Sequence, residues 1–89
     1  MIMNSQEICD WVYNWACGRQ DFTAPYGVLA GEHTSRKGTP YKSVTFGRAR
    51  TLDATVEIYN RNFIVVRTST WGSQTFRSFQ DLETYLQTI

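Results

Sequence analysis

Three neighbouring stretches decide the fold of this 89-residue chain: Tyr41-Lys-Ser-Val-Thr-Phe-Gly-Arg48, Ala54-Thr-Val-Glu-Ile-Tyr-Asn60 and Phe63-Ile-Val-Val-Arg-Thr-Ser-Thr70. Apolar and polar residues largely alternate within them, and Val, Ile, Thr, Tyr and Phe dominate, which is typical of strands with one buried face. Turns separate the stretches. We therefore predict an antiparallel meander within residues 41–79, with three hairpin-linked strands and a fourth after them.

The turns predict which residues pair, because loop length and the two-residue period of a strand together fix the register. We place a three-residue loop at residues 60–62, a longer turn around residues 51–53 and a third turn centred on Gly72, where a positive φ is tolerated. The expected pairs are Tyr59 with Phe63, Ile58 with Ile64, Val56 with Val66, Phe46 with Val56, Val44 with Ile58, and Thr68 with Phe76.

These pairs divide the sheet into two faces. The apolar side chains collect on a core face of Val44, Phe46, Val56, Ile58, Ile64, Val66 and Phe76. The opposite face mixes aromatic, basic and small polar residues, namely Ser43, Thr45, Thr55, Glu57, Tyr59, Phe63, Val65, Arg67, Thr75 and Arg77. A face that only meets water rarely carries three large apolar residues side by side, so we expect this second face to be a contact surface.

The segment before the sheet has the pattern of an amphipathic helix. Asn4 followed by Glu7 is the signature of a capping box, and the residues behind it place two tryptophans, Trp11 and Trp15, on an apolar stripe. We expect both tryptophans to pack in the core. Gly18 is placed to end the helix as a left-handed cap residue.

A second helix closes the chain, because Ser78 and Asp81 form a cap signal before a short apolar stripe. Residues 26–32 have the composition of a fifth, edge strand. Two helical stripes and one apolar sheet face are complementary, which predicts both helices on one face of the sheet. The fold class is therefore α+β: an N-terminal helix, an antiparallel meander of four or five strands, and a C-terminal helix.

Length and composition indicate one small domain spanning residues 1–89. No apolar run approaches the roughly 20 residues of a membrane-spanning helix, and the chain starts without a recognisable secretory leader, so we expect a cytoplasmic protein that does not contact membranes. Cys9 and Cys17 lie about two turns apart on the predicted helix, too far to bridge, and are expected to be free thiols. Residues 33–40 are predicted to form a flexible basic loop, punctuated by Gly38 and Pro40.

Charge is distributed unevenly along the chain. Residues 33–80 carry eight Lys or Arg residues and two acidic ones, whereas residues 1–32 carry one basic and four acidic residues. The predicted sheet is therefore basic and the first helix acidic. Charged residues also protect the edges of many small sheets, so the arginines alone are not specific.

No pattern indicates catalysis. The one histidine, His33, is predicted in or beside the loop, and an enzyme would need it near Cys9 or Cys17. The zinc spacings and the phosphate-loop spacing are absent from the sequence. Glu57 is interpreted as a salt-bridge partner for arginines on its own face. We accordingly expect no catalytic residue, no metal ligand and no cofactor.

The aromatic and basic face fits single-stranded nucleic acid, because bases stack on aromatic rings while arginines neutralise phosphates. Binding would weaken with salt and with removal of Arg67 and Arg77 together. Trp71, at a predicted hairpin tip, would fold back on the sheet or contact a partner. The predicted binding residues are Arg36, Lys37, Lys42, Tyr59, Phe63, Arg67, Trp71 and Arg77.

The same face also fits a protein partner, because Tyr, Trp and Arg dominate interface energetics. The alternative hypothesis is therefore a protein-binding adaptor or inhibitor, for example a small viral protein that blocks a host nucleic-acid-handling or defence complex. The partner would be such a nucleic-acid-handling protein or a second copy of the chain, with Phe63 and Val65 buried in a homodimer. A small enzyme is the third and least supported hypothesis.

Overall fold

The structure is a computed structural model that describes residues 3–19, 22, 27–48, 52–70 and 72–89. Within these ranges there are two helices and five strands, and the chain order is α1 (Ser5–Cys17), β1 (Leu29–Thr34), β2 (Pro40–Arg48), β3 (Leu52–Asn60), β4 (Phe63–Thr68), β5 (Gly72–Phe76) and α2 (Phe79–Leu86). The predicted α+β class and the helix, meander, helix order are confirmed.

The five strands form one antiparallel sheet in the order β1-β2-β3-β4-β5. The fifth strand exists, but it begins at Leu29 and runs through His33 to Thr34, whereas the sequence predicted residues 26–32. His33 therefore lies in a strand and not in a loop. The connection to β2 covers residues 35–39, shorter than the predicted 33–40, and closes with a Ser35 N–H to Thr39 O bond of 2.8 Å.

The hairpin between β3 and β4 has the predicted register in its interior, with Val56 opposite Val66. At its tip, however, Phe63 pairs with Asn60 and not with Tyr59, and the register shifts between Ile58 and Asn60. The turn has two residues, Arg61 and Asn62, rather than three. The Asn60 side chain closes it by accepting a 2.8 Å bond from the Asn62 N–H.

The predicted registers of β2 with β3 and of β4 with β5 were wrong, each by an even number of residues. Val44 pairs with Val56 rather than Ile58, and Thr68 pairs with Gly72 rather than Phe76. Gly72, with φ of 76°, begins β5 and does not sit at the centre of the turn. Because side chains alternate with period two, errors of two and four residues leave every residue on its predicted face.

The core lies on the predicted face. Phe46 and the aliphatic residues around it are excluded from solvent, and the buried sheet residues are Val44, Phe46, Ala54, Val56, Ile58, Ile64 and Val66, with Phe76 packed at the margin. Full burial of an aliphatic or aromatic side chain contributes about 1.5–3 kcal/mol, so this row is a main source of stability.

Helix α1 covers the part of this face formed by β1, β2 and β3. Its capping box is present: Asn4 Oδ1 accepts from the Glu7 N–H at 2.9 Å, and the Asn4 N–H donates to Glu7 Oε1 at 3.2 Å. Gly18, however, has φ of −78°, so the prediction of a left-handed cap was wrong. The chain continues in a right-handed turn, with the Arg19 N–H bonded to Ala16 O at 3.0 Å, and positive φ is not needed.

Helix α2 contacts β5 on the same face. Ser78 caps it as predicted, accepting a 3.2 Å bond from the Asp81 N–H. The helices meet where Trp11 packs edge-on against Phe79, with ring centroids 4.9 Å apart. Trp15 of α1 packs against Phe46 of β2, with ring centroids 5.4 Å apart. Both tryptophans thus belong to the margin of the core, as expected, and both helices lie on one face of the sheet.

Candidate binding surface

The second face of the sheet, which we call the open face, has no described helix across it. Alternation places on it the ten residues predicted from the sequence, and β1 and β2 add Leu29, Gly31, His33 and Tyr41. Phe63 is 39% exposed and Leu29 is 56% exposed. Large apolar groups therefore meet solvent on this face.

An aromatic row crosses the open face near one end of the sheet. His33 contacts Tyr41 with ring centroids 5.4 Å apart, Tyr41 contacts Tyr59 at 4.9 Å, and Tyr59 contacts Phe63 at 5.2 Å. The guanidinium of Arg77, just beyond β5, lies over the Phe63 ring at 5.4 Å. With strands about 4.8 Å apart, the four rings, on β1 to β4, span about 14 Å.

The irregular register at the end of β3 shapes the centre of the row. The shift between Ile58 and Asn60 leaves Tyr59 without a directly opposed residue on β4. A bulge of this kind redirects the side chain of the extra residue. The Tyr59 ring contacts Tyr41 on β2 and Phe63 on β4, and so makes the line of ring contacts continuous across β3.

The β1 end of the row depends on a glycine. His33 Nε2 lies 3.0 Å from Ser43 Oγ, and a Cβ at Gly31 would lie only 3.3 Å from that Nε2. Glycine thus leaves room for the imidazole to lie along the sheet and reach Ser43. Cys9, by contrast, is buried on the inner side of α1, across the sheet from His33, so the structure does not bring His33 and Cys9 together.

A charged cluster lies beside the row. Glu57 accepts a 3.0 Å bond from the Tyr59 hydroxyl and a 3.0 Å bond from Arg67 Nε. Partial burial, and then the Glu57 carboxylate, raise the pKa of Tyr59, and the bond to Glu57 raises the pKa of Arg67. Arg67 is therefore already paired with the carboxylate that the sequence indicated as a salt-bridge partner.

The predicted binding residues do not all come together. Tyr59 and Phe63 form half of the aromatic row and Arg77 lies over the Phe63 ring, while Arg67 lies on the same face, four residues beyond Phe63 along β4. Lys42 points to the helix side, where it forms an ion pair with Glu32.

Basic residues follow the end of the sheet that carries the aromatic row. Arg36 and Lys37 are exposed in the turn between β1 and β2, and Arg61 is exposed in the turn between β3 and β4. Together with Arg77 they form what we call the basic rim. Trp71 lies outside the described residues.

Sequence reasoning missed two members of the row, His33 and Tyr41. The signal for Tyr41 was present, because it precedes Ser43 by two residues and so shares its face. His33 could not be placed without the pairing of β1 with β2.

A cleft of about 490 Å³ opens at the same end of the sheet, between the start of α1 and the turn at residues 35–39. The Glu32–Lys42 ion pair lies in its wall, and most of its other lining residues also lie on the helix side of the sheet, so the cleft is on the side opposite the aromatic row. Ile58, which also lines the cleft, is a fully buried core residue.

Other kinds of site find no support in the described residues. Within these ranges no three His, Cys, Asp or Glu side chains cluster as metal ligands would. Neither described helix has the length and apolar character needed to cross a membrane. No family model matches the chain, and neither a curated protein nor a solved structure matches it significantly.

Proposed function

We propose that the protein is a non-catalytic binding module whose open face binds single-stranded nucleic acid. The observation that carries this proposal is the aromatic row of His33, Tyr41, Tyr59 and Phe63, which lies next to the basic rim. Unpaired bases stack on such rings and contribute about 1–3 kcal/mol each, largely regardless of sequence. In this proposal the cations of the basic rim pair with the phosphates of the bound strand.

The contacts within the row support this proposal because they fix the rings before any ligand arrives. The Tyr59 hydroxyl is bonded to Glu57, and the His33 imidazole contacts Ser43. Rings that are already ordered lose less conformational entropy when a base stacks on them.

The test is a fluorescence-anisotropy titration with a labelled thymidine oligonucleotide, a matching RNA, and a duplex as control. We expect the single strands to bind, the duplex to bind more weakly, and the affinity to fall steeply between about 50 and 200 mM salt. The duplex discriminates because its bases are already stacked on one another. Absence of salt-sensitive binding to any single strand would reject the proposal.

A second candidate function is a protein-binding adaptor or inhibitor, including one that acts on a nucleic-acid-handling complex or as a homodimer. It is favoured by the pairing of Arg67 with Glu57, which reduces the positive charge of the open face. Val65 is only 7% exposed and so has little surface left for a partner. A homodimer contact would therefore depend on the more exposed Phe63 and Leu29.

Affinity capture from native lysate, with and without nuclease, separates the two functions. Partners that disappear after nuclease treatment indicate a nucleic-acid ligand, whereas partners that persist indicate a protein. The mass in solution tests the homodimer, and a Phe63→Ala variant should become monomeric if Phe63 lies in that contact.

A further inference from the structure

The outer side of β1 is an exposed sheet edge. β1 stands at the end of the strand order, and among the described residues no strand pairs with its outer side. Every second residue of such a strand directs its backbone N–H and C=O groups away from the one neighbouring strand. Proteins often protect an edge with lysine, proline or a bulge, yet β1 contains neither of these residues and its register with β2 is regular. The edge is therefore open to pairing with another extended segment.

Helix α1 makes this edge one wall of a groove. The cleft of about 490 Å³ at the end of the sheet lies beside Thr34, and a second cleft of about 360 Å³ lies beside Ala30. Both clefts are lined by Glu32 and Lys42, so they adjoin along β1 on the helix side of the sheet. Their opposite wall is formed by residues of α1, namely Ser5, Gln6, Cys9, Asp10 and Tyr13.

The spacing of the two clefts suits a strand. Side chains on one face of a strand follow each other at roughly 6–7 Å, which is twice the rise per residue. If a strand paired with the outer side of β1, successive side chains on its helix face would therefore lie beside the two clefts in turn. The groove can take alternate residues of an extended segment, as in other cases of strand addition.

Exposed apolar side chains flank the edge on both sides of the sheet. Tyr13 is 39% exposed and Leu29 is 56% exposed, and they are two of the three large apolar residues that are exposed among the described residues. Tyr13 lines the second cleft, whereas Leu29 pairs with Thr45 and so lies on the open face. A strand added to β1 would cover both, one with each of its faces.

The charges of the groove favour a basic partner. Asp10 and Glu32 are acidic and Lys42 is basic, which leaves one net negative charge. The bond to Glu32 raises the pKa of Lys42, and the field of Asp10 adds to this effect, so the three charges lie close together. A lysine or arginine arriving on the helix side would be attracted. A second copy of β1 would instead bring Glu32, an acidic residue, to the same place.

We infer that the groove between α1 and β1 is a docking site for an extended segment of another protein, which pairs with β1 and directs lysine or arginine side chains toward α1. The aliphatic stems of these residues pack on Tyr13, and their charged ends meet Asp10 and Glu32. The intervening residues are apolar and lie beside Leu29. The inference does not depend on the proposed function, because the groove and the aromatic row lie on opposite sides of the sheet.

The test is a fluorescence-anisotropy titration of a labelled heptapeptide, Thr-Lys-Val-Lys-Val-Lys-Thr, with the full chain. Two control peptides are compared with it. One has glutamate in place of each lysine, and the other carries N-methyl groups on the central lysine and the valine after it. Because strand residues alternate in direction, one of these two N–H groups must point to β1 in any register. We expect each control to bind at least about tenfold more weakly than the parent peptide.

Asp10→Asn tests the charge of the groove, because it removes one negative charge and keeps the size of the side chain. We expect it to weaken binding of the parent peptide by about two- to fivefold, as for an exposed ion pair. Asp81→Asn is the matched control, since it makes the same change in the first turn of α2, which contacts β5 and not β1. It should leave the affinity unchanged. Circular dichroism confirms that both variants are folded.

Amide hydrogen exchange measured by NMR locates the bound peptide. In the complex, amides of β1 should exchange more slowly, whereas those of β5, at the other edge of the sheet, should be unaffected. Protection of β5 in place of β1 would overturn the inference, and so would equal binding of either control peptide. Absence of saturable binding at about 1 mM peptide would do the same. A dimer in sedimentation that the peptide dissociates would show that a second copy occupies the edge, which also contradicts it.

Discussion

The two faces of the sheet are built from alternate residues of the same five strands, yet their side chains are held in place differently. On the covered face, Val56, Ile64 and their neighbours are fully buried beneath two helices. On the open face, side chains are ordered by contacts parallel to the sheet, such as the Thr45–Thr55 hydroxyl pair at 3.2 Å and the bonds of Glu57. Among the described residues, therefore, the side chains of the open face are held by their neighbours in the sheet and not by a covering helix.

The largest expected effect tests the covered face. Phe46 is 1% exposed and packs against Trp15 and Phe22, so Phe46→Ala should lower the free energy of unfolding by about 3–5 kcal/mol. Chemical denaturation monitored by tryptophan fluorescence measures this. Phe63→Ala makes the same chemical change on the open face and should cost less than about 1 kcal/mol, because only cross-strand contacts are lost. Equal costs would contradict the distinction between the faces.

The next effect tests whether the open face uses its rings for binding. Phe63→Ala should weaken binding to a single-stranded oligonucleotide by about 1–3 kcal/mol, the contribution of one stacked base. Leu29→Ala is the control, since Leu29 is on the same face and more exposed but outside the aromatic row. Equal losses of affinity in the two variants would mean that any exposed apolar side chain on this face contributes to binding, and that the aromatic row has no special role.

A smaller effect distinguishes the two arginines of the open face. Arg77→Gln should reduce the steepness of the salt dependence of binding by about 0.7, the value for one phosphate contact on a single strand. The double variant Arg67→Gln, Glu57→Gln removes an existing ion pair without changing the net charge, and its slope should equal that of the wild type. A double variant with the smaller slope of Arg77→Gln would show that Arg67 also contacts phosphate.

The smallest effect appears at alkaline pH. Burial raises the pKa of Tyr85 on the covered face, and burial together with Glu57 raises the pKa of Tyr59 on the open face. The folded protein therefore retains these protons longer than the unfolded chain, whose tyrosines ionise near pH 10. Their contribution to stability is present below that pH and is lost as the pH rises through the folded values.

Unfolding free energies measured from pH 8 to pH 11 should consequently fall above about pH 10 in the wild type. Tyr59→Phe and Tyr85→Phe should each make the decline shallower, and absorbance titration of tyrosinate locates the ionisations. An unchanged decline in Tyr59→Phe would place that hydroxyl in solvent rather than beside Glu57.

The sequence predicted the faces of the sheet more reliably than its pairings. The alternation of Val, Ile and Phe decides which side each residue occupies, and that information survives a shift of two or four residues. The pairings depend on turn length, and here Gly72 begins a strand and Arg61-Asn62 makes a tighter turn than the three residues expected. Local composition did not distinguish these alternatives.

The candidate site was predicted in part for a related reason. Tyr59, Phe63 and Arg77 lie within the alternating stretches and were assigned to one face. Lys42 was grouped with them by charge, although it precedes the core residue Val44 by two positions and therefore shares the covered side. His33 lies in a strand of mixed composition, Leu29–Thr34, which has no clear alternation and gains its geometry only by pairing with β2.

The absence of a side chain at residue 31 has a consequence for how this surface can change over time. A single added methyl group there would press on the imidazole of His33 and lengthen its contact with Ser43 by a few tenths of an ångström. The His33 ring would then shift relative to Tyr41, while the helices and the hydrophobic interior on the other side of the sheet stay as they are. Substitution of Gly31 is therefore a way in which homologous proteins could change the ligand preference of this surface without losing the stability of the fold.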